Sequence, residues 1–261
     1  MSNEQTYTLT EDESRIIKAF KDIRLKGLAL AFHRQFTTPD IFSGLTFNER
    51  LLMALQEHID YANEVKGQTL LKRSKLRGNQ DLDFILRSEK RGLSNTTMAE
   101  LASLSFVVKK QNAIVRGASG TGKTELICNI GRRACLRGMS VQYTIANDLL
   151  EQFSIFNVEQ RLKFREKLKK VHLLIIDDLF LTDFYEARYA KYLNDILNDR
   201  INTASTLIAT QLTSVGMAKR FVNIDAAITD AVTRRINHVE YCARRSEESE
   251  HELVFQCSIC T

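Results

Sequence analysis

Between a short apolar run, Ala113 to Arg116, and a stretch of helical periodicity stands the octapeptide Gly117-Ala118-Ser119-Gly120-Thr121-Gly122-Lys123-Thr124. It matches G-x-x-x-x-G-K-[ST], a pattern that needs a strand before it and a helix after it. The glycines let backbone amides turn inward, and the positive N-terminal end of the helix adds to them, so the loop cradles phosphate oxygens. Lys123 is expected to reach the β and γ phosphates, and the Thr124 hydroxyl to ligate Mg2+. With the adjoining Glu125, these residues form the expected ATP site.

From this point the chain alternates apolar runs with amphipathic stretches, the sign of a parallel sheet covered on both faces. Strands are predicted at Ala113 to Arg116, Val141 to Ile145, Leu173 to Asp177, Thr206 to Thr210 and Val239 to Cys242. Helices are predicted at about 123–137, 158–169, 185–201 and 225–236, giving a doubly wound α/β fold. Leu173-Leu174-Ile175-Ile176-Asp177-Asp178 ends a buried strand in two carboxylates, and open α/β sheets collect ligands at the carboxyl ends of their strands. Asp177 is expected to hold the hydrated metal and Asp178 to orient or deprotonate the attacking water. Asp178 is shorter by one methylene than the glutamate many such ATPases carry. Of Thr210 and Gln211 at the next strand end, Gln211 is the expected sensor of the γ phosphate.

The first 77 residues read differently. Thr10 with Glu13, and Thr46 with Glu49, fit the reciprocal box that caps a helix start. Ile16, Phe20 and Ile23, then Leu52, Leu55 and Ile59, follow at helical spacing, with the only proline, Pro39, in the link. The division expected is a helical domain for binding DNA or a partner at 1–77, a connector at 78–92, the ATPase domain at 93–246 and a tail at 247–261.

Charge gives a second clue. Lys66, Lys72, Arg73, Lys75 and Arg77 have no acid among them, and Arg161, Lys163, Arg165, Lys167, Lys169 and Lys170 are broken by Glu166 alone. Lys72, Arg73, Lys75 and Arg77, with Lys163 and Lys167, are the expected DNA contacts, sequence-blind and salt-dependent. No apolar run approaches the roughly 20 residues needed to cross a bilayer, so no membrane role is expected. The polar, acidic start predicts a cytoplasmic location, and five scattered cysteines predict reduced thiols, with a zinc role for the lone Cys257-x-x-Cys260 pair disfavoured.

With these motifs placed, the chain resembles the IstB and DnaC group of AAA+ ATPases, IstB most. The resemblance rests on IRLKGLALAF, LTFNERLLMALQEHIDY, LLKRSKLR, the RGL before the ATPase domain, and Asp225 to Ile236. It implies an AAA+ domain after a small all-helical N-terminal domain, ATP hydrolysed at junctions of a homo-oligomer, assembly on duplex DNA, and delivery of that DNA to a transposase. It also implies that Arg235 reaches the neighbouring subunit's nucleotide, although Arg234 replaces a residue usually acidic in the family. Arg245 matches, at altered spacing, the arginine that contacts its own subunit's nucleotide. Two other readings compete. A DnaC-like loader of a replicative helicase would use the helical domain to dock on protein, and a small-molecule kinase would need a lid and second pocket in place of the arginine-bearing closing helix.

Overall fold

The computed structural model describes residues 7–78, 95–179, 187–213, 216–217, 219, 226–236 and 239–242. The chain divides into two compact units, 1–68 and 69–261.

The first unit is helical: α1 (Glu11–Asp22), α2 (Lys26–Thr37), α3 (Pro39–Phe42) and the larger part of α4 (Phe47–Arg73). Both expected caps form. Thr10 N–H donates to Glu13 Oε2 at 2.8 Å and Thr46 N–H to Glu49 Oε2 at 2.7 Å, while each threonine hydroxyl accepts the glutamate's own amide at 3.3 Å. These bonds occupy amides that a helix start leaves without partners. The core face differs from the predicted one. Ile17, Leu28, Ala31, Phe42 and Ala54 are buried, whereas Ile16, Ile23, Leu52, Leu55 and Ile59 are exposed. The spacing is helical, but the small residues decide the packing. A Cβ on Gly27 would lie 2.7 Å from the His58 Cα, so α2 and α4 touch backbone to backbone there. Buried Gln35 fixes the pair, its Nε2 donating to the Arg50 carbonyl at 2.8 Å.

The second unit begins inside α4. It continues with α5 (Asn95–Ser103), α6 (Ser105–Val108), β1 (Ala113–Arg116), α7 (Lys123–Leu136), β2 (Val141–Ile145), α8 (Ala146–Ile155), α9 (Val158–Lys169) and β3 (Leu173–Leu179). After these come α10 (Ala187–Arg200), β4 (Ser205–Thr210), α11 (Ala226–Ile236) and β5 (Val239–Cys242). The strands form one sheet in the order β2-β3-β4-β1-β5, with every pairing parallel. Side chains alternate between two cores, as the period of two in a strand requires. Val115, Ile175 and Leu207 join α7 on one face, while Ile114, Ile176 and Ile208 join α8 and α10 on the other. Helix α8 adds to the predicted elements; it follows β2 without a break, so no turn residue marks its start.

The cut between units falls at 68/69 and not at 77, for a visible reason. Leu70, Leu71 and Leu76 pack on the core that α7 shares with the sheet, and Tyr143 N–H donates to the Ser74 carbonyl at 2.8 Å. Among the described residues no helix is long and apolar enough to cross a membrane. Cys128, Cys135 and Cys242 are free thiols. The tail, Cys257, Cys260 and most of the expected connector lie outside the described residues.

Candidate functional site

Strand order places the site. The phosphate loop follows β1 and the two carboxylates close β3, and because β4 lies between those strands, Gln211 emerges between loop and carboxylates. Ser119, Gly120, Gly122, Lys123, Thr124, Glu125, Asp178 and Gln211 line one cavity of about 640 Å³, together with Arg77, Gly78 and Asn129. That volume is ordinary for a cofactor site.

Gly120 and Gly122 have φ of 76° and 78°, a region that suits glycine and that the turn requires. Lys123 opens α7 and is 6% exposed. Its amine donates to the Ala118 carbonyl at 2.8 Å, and the Thr121 hydroxyl donates to the same oxygen at 3.0 Å. Burial pushes the ammonium below its ordinary pKa, and the nearby charges of Asp178 and Asp177 oppose that shift.

Asp177 is 1% exposed. One carboxylate oxygen accepts the Tyr143 hydroxyl at 2.8 Å and the other accepts Asp178 N–H at 2.9 Å. Burial first, and the Asp177 charge second, push the Tyr143 phenol far above its ordinary value, so it stays a neutral donor. Asp178 adopts φ 54°, where the register of β3 against β4 shifts between Ile176 and Leu179. An irregularity of this kind re-aims a side chain, and aspartate tolerates the left-handed region better than most residues. Its carboxylate faces the cavity, which offsets its short reach. Its pKa is raised by burial and by Asp177, with Lys123 and Arg77 pulling it back.

Thr210 is buried, donating to the Leu179 carbonyl at 2.6 Å and accepting from Leu212 N–H at 3.2 Å. Those bonds hold the strand end, and Gln211 is the one that lines the cavity. Asn129 anchors its amide nitrogen on the Glu125 carbonyl at 2.8 Å and leaves its buried Oδ1 without a hydrogen-bond partner. Among the described residues no three His, Cys, Asp or Glu side chains cluster as a metal site.

The predicted arginines and lysines lie apart. Arg235 is half-buried on α11, donating to the Ala231 carbonyl at 2.8 Å and to Asn198 Oδ1 at 3.3 Å, while Arg234 is exposed and pairs with Asp230 at 2.9 Å. Neither lines the cavity of its own subunit. Arg245 lies outside the described residues. Lys72, Arg73 and Lys75 are exposed. Arg77, expected beside them on DNA, lies at the nucleotide cavity, its guanidinium 5.7 Å from the Tyr143 ring centre. On α9, Lys163 and Lys167 are exposed, whereas Arg165 grips Asp199 at 2.7 and 2.8 Å and Arg161 donates to the Tyr192 hydroxyl at 2.7 Å. Two residues of that basic run, Arg161 and Arg165, therefore fasten α9 to α10.

Comparison with known proteins follows the same lines. The model of the family described as "IstB-like ATP binding protein" matches residues 18–250. An ATP-binding protein of insertion sequence IS1162 from Pseudomonas fluorescens is 33% identical over 74% of this chain and 83% of its own. An insertion-sequence ATP-binding protein of Sinorhizobium fredii is 27% identical over 91% of this chain and 94% of its own. Among solved structures, DnaI matches with a TM-score of 0.52 and 17% identity, covering 70% of this chain and 93% of DnaI. The fold is the AAA+ P-loop fold that the sequence implied.

Proposed function

Because the chain belongs to the IstB-like ATP-binding protein family, we propose that it hydrolyses ATP with magnesium, assembles on duplex DNA, and serves a transposase. The observation that carries the ATPase reading is the buried Lys123 ammonium lining one cavity with Asp178, where the charges of Asp178 and of the buried Asp177 behind it both act on it. A buried cation with carboxylates nearby is an arrangement for phosphate and metal, since either charge alone would be costly there.

The loop amides and Lys123 bind the phosphates, and the Thr124 hydroxyl and Asp177 hold the metal, with Tyr143 fixing the carboxylate's orientation. Magnesium, when bound, neutralises charge on the β and γ phosphates. Asp178 orients the attacking water and takes its proton, a role helped by the burial that raises its pKa above the ordinary value. Gln211 reports the γ phosphate to the strand end. Arg235 of a neighbouring copy supplies positive charge at the junction, so that turnover depends on assembly.

The names of the insertion-sequence relatives favour transposition over helicase loading. The test is nucleotide binding and phosphate release by the wild type and by Lys123→Ala, with and without duplex DNA. Binding and DNA-stimulated release in the wild type, both lost in a folded Lys123→Ala, are expected. Equal turnover in the two would remove the site from this cavity.

A further inference from the structure

Arg77 belongs to none of the motifs that define the site, yet it lies at the cavity wall. Its position is built. A Cβ on Gly131 of α7 would fall 2.8 Å from Leu76 Cδ2 and 2.7 Å from Ile175 Cδ1, so the missing side chain is what lets Leu76 seat on the sheet. On either side, Ser74 takes the Tyr143 amide at 2.8 Å and the Gly78 carbonyl accepts from Arg132 at 2.6 Å. The segment from Ser74 to Gly78 is thus strapped across β2 and α7, with little freedom to aim its arginine elsewhere.

The guanidinium stands over the Tyr143 ring, whose hydroxyl binds Asp177. It is one side chain away from Asp177 and lines the same cavity as Lys123, Asp178 and Gln211, which the terminal phosphate would approach if those residues act as proposed. Among the described residues no carboxylate closes an ion pair with it, although its charge is felt at Asp178. An exposed guanidinium resting on an aromatic ring is held weakly beside the charge-assisted, two-pronged contact that a phosphate offers.

We infer that Arg77 is a nucleotide-binding residue of its own subunit, contacting the γ phosphate end of ATP and making the site prefer ATP to ADP. The inference rests on the proposed ATP site and adds to it a residue from the segment that precedes the ATPase sheet. Its charge is spent on nucleotide and not on DNA.

The experiment is calorimetric titration of the full chain with magnesium and either a non-hydrolysable ATP analogue or ADP, for the wild type, Arg77→Ala, Arg77→Lys and Lys123→Ala. Thermal melting of each confirms folding. Arg77→Ala should weaken the ATP analogue on the order of ten- to a hundredfold, the range for one charged hydrogen-bonding group, and ADP by much less. Arg77→Lys, which keeps the charge but loses the planar fork, should fall between. Duplex DNA affinity of Arg77→Ala should match the wild type. Equal losses for both nucleotides, no loss for either, or a loss of DNA affinity with nucleotide binding intact would each overturn the inference while leaving the ATP site standing. A wild type that binds neither nucleotide, or a Lys123→Ala that binds both normally, would instead overturn the site reading itself.

Discussion

Tyr143→Phe removes one oxygen atom and leaves every carbon in place, so it isolates a single bond. In the wild type that oxygen donates to Asp177 at 2.8 Å, with Tyr143 3% and Asp177 1% exposed. A hydrogen bond to a charged group is worth about 1.5–3 kcal/mol, and the acceptor left behind keeps its charge. In a unit of this size each kcal/mol shifts the melting temperature by about 2–4 °C, so the nucleotide-free variant should melt roughly 3–12 °C lower. The assay is scanning calorimetry of both proteins without ligand and then with magnesium and a non-hydrolysable ATP analogue. The gap should narrow in the second pair, because a metal at Asp177 would compensate the charge that the phenol no longer meets. A variant melting within a degree of the wild type without ligand would refute the reasoning, and show that Asp177 is held by its neighbours alone.

The other predictions concern charge. Burial and Asp177 raise the Asp178 pKa on folding, so the stability this carboxyl contributes is present below its ordinary value of 3.8 and is lost as pH rises through the shifted one. At neutral pH the ionised group is a cost: Asp178→Asn should melt higher than the wild type without nucleotide, by a margin that shrinks on acidification, and should hydrolyse ATP poorly. A lower melting temperature at pH 7 would contradict the assignment. Replacing Lys72, Arg73 and Lys75 by alanine should weaken binding to all duplex sequences and flatten the slope of log affinity against log salt by about 0.9 for each phosphate no longer neutralised, measured by fluorescence anisotropy. An unchanged slope would move the DNA-binding role to Lys163 and Lys167. Arg235→Ala and Lys123→Ala should each be inactive alone and partly active when mixed on DNA, since one supplies the phosphate loop and the other the arginine. Rescue by a mixture with Arg234→Ala in place of Arg235→Ala, and not by Arg235→Ala, would make the exposed Arg234 the finger.

The sheet and the phosphate loop were legible because their signals are local. Strand limits at Ala113, Val141 and Val239 follow from apolar runs, and the loop's glycines declare their own backbone conformation. Tyr143 was not legible as part of the site, since its link to Asp177 exists only once β2 pairs with β3 and places Tyr143 opposite Ile175. The place of Arg77 at the cavity was hidden for a similar reason: the basic residues between Lys66 and Arg77 look alike until Leu76, seated where Gly131 leaves room, shows which way the segment turns. Arg161 and Arg165 had the spacing of a charged surface, yet their partners Tyr192, Asp195 and Asp199 come from another helix. In the helical unit, periodicity gave helices but not their faces, because Gly27 and Ala54 set the packing and leave Ile16, Ile23, Leu52, Leu55 and Ile59 exposed.

Among the described residues strand β2 is the last in the sheet on its side, and the Ser74 carbonyl accepts the Tyr143 amide there. An uncovered edge offers a row of free amides and carbonyls to any other chain, and natural sheets avoid leaving one. Limited proteolysis that trims the chain at the 68/69 cut should therefore release a fragment that stays soluble. A fragment beginning at Gly78 would lack Leu70, Leu71 and Leu76 as well as the partner of the Tyr143 amide, and light scattering should show it self-associating through β2.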